Sequence, residues 1–296
     1  MTLLDCTLRT SGQLTGGAPS PQLVADYLAV CARLGIDVIE LGYVRDPADR
    51  TAGAPLPDVL TVTHAERYGP RFAVLLDAAE LPAGDSPAAA AADRIADRIA
   101  AVPLPVGLVR VAVRYDEVAR AAAPLGRLRD AGFGVCLLLT DIDLASYPEL
   151  DRCLAETAAL GPLDAVFLVD SLGSLRPERV IELVQSTRAA VAAPVGIHAH
   201  DNQGFALHNT VVARSAGATW QDAAVHGIGP GAGITRTEQL LALLGATPAD
   251  LGPLLELIAT HFAPLKRRYG WGAGPRQVMA GLARIPVAAV RGLDGG

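Results

Sequence analysis

Eight short apolar runs, each followed by a longer stretch with helical spacing, constrain this chain more than any other feature. The runs cover residues 3–7, 38–42, 71–76, 108–113, 134–139, 165–169, 195–200 and 222–228. Between them lie Ala- and Leu-rich stretches such as 21–34, 116–131, 148–160, 177–192 and 205–216. Several open with Pro in the first turn and stop at Gly35, Gly132, Gly161 or Gly217, which is the asymmetry expected of helices. Alternating β and α units bury a parallel sheet between helices. Eight units in one chain predict a closed (β/α)8 barrel, the TIM-barrel architecture, over residues 1–250. Residues 251–296 fall outside the eight units and predict a short C-terminal helical extension around Trp271-Gly272. An open doubly wound sheet is the competing α/β solution, but no G-x-G-x-x-G follows the first run.

Composition narrows the partners. Hydrophobic residues make up 51% but aromatics only 4%, so the core must be built from Ala, Val, Leu and Ile. The net charge is −6, without a basic block, which argues against a nucleic-acid partner. No run of about 20 apolar residues exists to span a membrane. Thr2-Leu3-Leu4-Asp5 leads directly into a strand pattern and does not resemble a secretory signal. Cys6, Cys31, Cys136 and Cys153 are scattered with no C-x-x-C and read as buried thiols of a cytoplasmic protein. Asp93, Arg94, Asp97 and Arg98 alternate at helical spacing and read as a solvated helix face.

Polar residues collect where the runs end, which in a barrel is the catalytic face. The run ending at His198-Ala199-His200 is the sharpest case. Residues two apart on a strand point the same way, so two imidazoles can converge on one divalent metal. Other run ends supply Arg9 and Thr10, Glu40 and Tyr43, Arg114, Asp141, Asp170-Ser171, and the turn from His226 to Gly233. His226 is a candidate pocket residue, whereas His64, His208 and His261 fall in helical patterns and read as structural or surface groups.

Four segments in register resemble the signatures of the metallolyase TIM-barrel superfamily, the hydroxymethylglutaryl-CoA lyase-like enzymes. They are Asp5-Cys6-Thr7-Leu8-Arg9, Ile39-Glu40-Leu41-Gly42, His198-Ala199-His200-Asp201-Asn202 and Gly227-Ile228-Gly229-Pro230-Gly231-Ala232-Gly233. The superfamily includes 4-hydroxy-2-oxovalerate aldolase, hydroxymethylglutaryl-CoA lyase, and the isopropylmalate and homocitrate synthases. The segment from Pro264 to Gly272 resembles the piece that follows the barrel in the hydroxy-oxo-acid aldolase branch.

The resemblance implies roles by position. Arg9 matches an arginine that holds the enolate and carboxylate of an α-keto acid, a task suited to a planar, permanently charged fork. His198 and His200 match metal ligands for Mn²⁺, Mg²⁺ or Co²⁺, and Glu40 matches the acid behind them. Gln13 stands where the aldolases have a histidine base and matches a glutamine of the Claisen-type synthases. Tyr43 is a candidate gate of the pocket, and Thr10, Ser171 and Gly231 are candidate substrate contacts. Three positions depart from the pattern. Thr10 replaces the aspartate that is the third metal ligand, Ser11 replaces a glycine, and Ile234 replaces an asparagine of the closing turn. A hydroxyl supplies less charge to a divalent ion than a carboxylate does. Asp5, Glu40, Asp170 and Asp201 are the carboxylates available to complete the site.

The expected function is carbon–carbon bond cleavage or formation on a small α-keto or hydroxy-keto acid through an Arg-stabilised enolate with divalent-metal assistance. The alternatives are a metal-free or catalytically diverged member acting as a binding or scaffold subunit, and a Claisen-type acyl-CoA synthase. A homo-oligomer is compatible with the sequence.

Overall fold

The computed structural model describes residues 1–17, 19–48, 71–101 and 105–290. Eight parallel strands close into one barrel in chain order. They are β1 (Thr2–Asp5), β2 (Val38–Tyr43), β3 (Arg71–Asp77), β4 (Val106–Arg114), β5 (Gly134–Thr140), β6 (Ala165–Asp170), β7 (Val195–Ala199) and β8 (Trp220–Ala223). Closure joins β1 to β8 with Thr2 opposite Trp220 and Asp5 opposite Ala223. The barrel predicted from the sequence is the observed fold.

Helices cover the outside. α1 (Thr7–Thr15) and α2 (Pro21–Leu34) follow β1, and α3 (Asp85–Ala100), α4 (Ala122–Asp130), α5 (Tyr147–Ala158), α6 (Pro177–Ala190), α7 (Ala206–Ser215) and α8 (Thr237–Leu243) follow in turn. α2 shows the local logic. Ser20 accepts a hydrogen bond from the Leu23 N–H, Pro21 occupies the first turn, and Gly35 ends the helix with φ +68°. Its inner face buries Leu23, Val24, Tyr27, Leu28 and Cys31, each large apolar side chain contributing about 1.5–3 kcal/mol. All four cysteines are free and buried, as read from their spacing. Asp93 pairs with Arg127, and Arg94 with Asp46, on the outer surface.

Two boundaries that position the site differ from the sequence expectation. The first run was read as a strand to residue 7, but β1 stops at Asp5, because the Asp5 carboxylate accepts the Thr7 N–H at 2.9 Å and turns the chain into α1. Arg9, Thr10 and Gln13 therefore sit on a helix, not on a loop. The eighth run was read as 222–228, but β8 stops at Ala223. His226 takes a left-handed φ of +56° within a tight turn, held by Glu238, which accepts its N–H at 2.9 Å.

After α8 the chain forms α9 (Pro248–Leu257), α10 (Ala263–Tyr269) and α11 (Pro275–Ala283), and residue 250 falls inside α9. This segment returns to the barrel mouth. Trp271 Nε1 donates to the His226 carbonyl at 3.0 Å, and the Gly272 N–H donates to Gly231 O at 3.0 Å. No helix among the described residues is long and apolar enough to cross a membrane.

Candidate active site

The interior of a barrel strand is closed to water, so a charge there must be paired. Arg110, in the middle of β4, is fully buried. One Nη donates to Glu40 Oε1 at 2.9 Å and the other to Asp222 Oδ2 at 2.5 Å. Its guanidinium lies 4.2 Å from the Phe167 ring centroid. That ring has space because the neighbouring position on β7 is Gly196, where a Cβ would come within 2.5 Å of it. Glu40 in turn accepts from Arg9 Nε. Burial pushes the Glu40 carboxyl up, but Arg110 and Arg9 outweigh it and hold the group below its usual range. Asp222 behaves alike: burial opposes ionisation, and Arg110 with His198 overcomes it.

From Arg9 a polar chain runs toward the mouth. Arg9 Nη1 donates to Gln13 Oε1 at 3.2 Å, and Gln13 Nε2 donates to the Tyr43 hydroxyl at 2.9 Å. Burial raises the Tyr43 pKa despite Arg9, so the phenol keeps its proton. The Arg9 guanidinium also lies beside the Tyr43 ring, 5.8 Å from its centroid.

The two histidines sit at the end of β7, with ring centroids 5.3 Å apart and planes at 80°. His198 Nδ1 lies 2.8 Å from Asp222 Oδ2, and His200 Nδ1 lies 2.9 Å from the Asp170 carbonyl. Both partners are acceptors, so each Nδ1 carries the proton and each Nε2 keeps its lone pair. Burial lowers both pKa values; that of His200 falls to about 3, with His198 adding to the effect. Both imidazoles are neutral at pH 7, the form that binds a metal. An acceptor behind each Nδ1 is the usual support for a ligating histidine.

The carboxylates expected to complete a metal site are already engaged. Asp5 accepts from Thr7 N, Tyr27 OH and Thr237 Oγ1. Glu40 holds two arginines. Asp170 accepts from Ser174 N and Leu175 N beside the Asp143 carboxyl, and burial with Asp143 nearby lifts its pKa to about 8. Asp201 accepts the Ala206 N–H at the start of α7. Thr10 Oγ1 donates to the Cys6 carbonyl at 3.0 Å. Cys6, His198 and Asp222 do cluster, with one potential ligand atom of each within 4.8 Å of the others. Arg110 sits in that cluster, 3.8 Å from Cys6 Sγ, and burial together with Asp222 and Glu40 holds the thiol protonated. A second cation does not fit there. With both Nδ1 atoms engaged, the Nε2 atoms of His198 and His200 are the ring nitrogens that could hold a metal.

The remaining candidates are accounted for individually. Ser171 Oγ accepts the Asp141 N–H at 2.8 Å and braces the loop after β5. Gly231, with φ +63°, anchors the Gly272 contact. Ile234 is buried and bridges to His200. His226 borders the mouth, 3.8 Å from Glu238. His261 binds Asp26 of α2 at 2.9 Å, His208 lies on α7, and His64 lies outside the described residues. Sequence reasoning missed Arg110 and Asp222. The signal for Arg110 was present: a lone cation inside the apolar run 108–113.

The HMGL-like family model matches residues 1–260. A 4-hydroxy-2-oxovalerate aldolase from Pelotomaculum thermopropionicum is 31% identical over 90% of this chain and 77% of its own length. One from Carboxydothermus hydrogenoformans is 29% identical over 90% of this chain and 78% of its own. Among solved structures, the N-terminal domain of a candidate aldolase from Bacteroides vulgatus superposes with TM-score 0.80 at 26% identity, covering 97% of this chain and 94% of that domain.

Proposed function

The chain belongs to the HMGL-like family, and on that footing we propose that it is an aldolase, a carbon–carbon lyase acting on small α-keto and hydroxy-keto acids through an enolate. The observation that carries this reading is the shared strut beneath the barrel mouth. Arg9 is aimed by Glu40 and His198 by Asp222, and both acids hang on Arg110.

In the cleavage direction the substrate's 4-hydroxyl gives its proton to solvent water, the C3–C4 bond breaks, an aldehyde leaves, and the bonding pair becomes the enolate of the keto acid; the solvent proton later restores Tyr43 after it protonates the enolate. Arg9 binds the carboxylate and the growing enolate charge, its guanidinium held by Glu40 through Nε and by Gln13 through Nη1. A preorganised donor of this kind contributes about 2.7–4 kcal/mol to the transition state. Tyr43, protonated and hydrogen-bonded to Gln13, returns a proton to the enolate carbon. His198 and His200 would hold a divalent cation through Nε2, and that ion would supply Lewis-acid polarisation of the keto oxygen.

Exchange of pyruvate methyl protons for deuterium, followed by NMR, tests the half-reaction without knowing the aldehyde. Exchange that depends on Arg9 and is stimulated by Mn²⁺, Mg²⁺ or Co²⁺ is expected. No exchange with any of the three overturns the reading. One observation favours a second reading: the Thr10 hydroxyl is turned into its own helix, and among the described residues the four candidate carboxylates are engaged elsewhere. A diverged subunit that binds keto acids without turnover would saturate with pyruvate and show no exchange.

A further inference from the structure

The buried guanidinium of Arg110 is more than a filled hole in the barrel. We propose that Arg110 is a positioning residue that sets the aim of Arg9 and the tautomer of His198 together. The inference rests on the functional reading of those two residues but not on the metal being bound.

The argument is geometric. Glu40 is shared: Oε2 takes Arg9 and Oε1 takes Arg110. Asp222 is shared as well, because a single oxygen, Oδ2, accepts from both Arg110 and His198. The other Asp222 oxygen, Oδ1, is buried with no partner. The carboxylate is therefore not fixed by its own neighbours; Arg110 is what presents Oδ2 to the imidazole. Remove Arg110 and Asp222 can rotate, and nothing then requires the His198 proton to stay on Nδ1. Glu40 similarly loses one of its two anchors, and Arg9 loses its fixed direction.

The fork is well suited to this. The two Nη atoms reach carboxylates on β2, two strands from β4, and on β8, directly across the closed barrel. Phe167 stacks on the guanidinium face and restricts its tilt. Lysine has the charge but one nitrogen, and cannot hold two separate acids in fixed directions. His200 is independent of this device, because its Nδ1 partner is the Asp170 carbonyl. The molecule thus contains its own control.

The test uses ¹⁵N-histidine-labelled full-length protein, stripped of metal, and reads ring-nitrogen chemical shifts at neutral pH. In the parent protein both His198 and His200 should show protonated Nδ1 and bare Nε2. In Arg110→Met, His198 should lose that pattern and become a mixture of tautomers, while His200 keeps it. Pyruvate affinity, measured on the same samples by calorimetry, should fall at least tenfold. If Arg110→Met does not fold, Arg110→Lys takes its place and should shift at least one of the two readouts, because a single ammonium cannot occupy both Nη positions that meet Glu40 and Asp222. Unchanged His198 tautomer and unchanged pyruvate affinity in either folded variant overturn the proposal. A general loss of packing would move His198 and His200 alike, and that outcome also overturns it. The tautomer readout stands even if the exchange assay finds no catalysis, so the two ideas fail separately.

Discussion

Replacing Glu40 by Gln removes one charge from the barrel interior at almost constant volume, so the cost is electrostatic and not a cavity. Glu40 is fully buried and satisfies two guanidinium groups. Gln keeps one acceptor oxygen, which serves either Arg9 or Arg110, and turns its NH₂ toward the other cation. Uncompensating a buried ion pair costs about 3–5 kcal/mol. That is a large part of the roughly 5–15 kcal/mol that holds a domain folded. With a urea slope near 2–3 kcal/mol/M, the unfolding midpoint should drop by about 1–2 M at pH 7. The pH dependence has a fixed sign. The Glu40 pKa is depressed in the folded state, so its contribution is complete above the unfolded carboxyl value near 4.3. It is lost as pH falls through the lower folded value. The parent should therefore lose stability more steeply in acid than Glu40→Gln, and the gap between them should narrow below about pH 4. Urea titrations of both proteins from pH 7 to pH 3 measure this. A difference within about 0.5 kcal/mol at pH 7, the range of an ordinary surface substitution, would refute the account of the buried network.

Arg9→Lys should lower turnover by about 10²–10³, since the planar fork is lost while charge remains; steady-state kinetics within a few-fold of the parent would remove Arg9 from the mechanism. Thr10→Asp should tighten Mn²⁺ binding about tenfold or more by restoring an anionic ligand, and calorimetry showing weaker binding would mean that another group completes the site. His198→Ala, His200→Ala and the double variant should lose similar activity if both serve one ion, whereas unequal losses that add in free energy would assign them separate roles. Gly233→Ala should destabilise the turn by about 1–3 kcal/mol, because its φ is +74° and a Cβ would collide with the Gly227 carbonyl; an unchanged melting temperature would show that the turn can rearrange.

The barrel was legible because parallel strands buried on both faces leave unbroken apolar runs, and eight of them punctuated by Pro and Gly admit few closures. Arg9, Glu40 and His198 were legible because they stand at run ends. The start of α1 was not, since an Asp side chain closing on Thr7 N is invisible to apolar periodicity. Arg110 was passed over because its partners lie 70 and 112 positions away in the chain, and no local pattern announces a register between distant strands. The departure from the family pattern at Thr10 was legible, but only side-chain geometry shows that the four candidate carboxylates are all committed elsewhere.

Closure of the barrel ties the first turn of the chain to its last quarter. The Val225 N–H donates to Thr7 Oγ1, 218 positions away, and Thr237 Oγ1 donates to Asp5, 232 positions away. The helix that carries Arg9 is thus seated by residues made long after it. At roughly 5–20 residues per second on the ribosome, the first strand waits on the order of 10–45 seconds for its neighbour. Until then its open edge can pair with another nascent chain. The candidate site starts on α1 and is closed by the turn after β8, so a chain cut between Ala223 and Thr237 keeps all eight strands but loses the Thr237–Asp5 bond that seats α1.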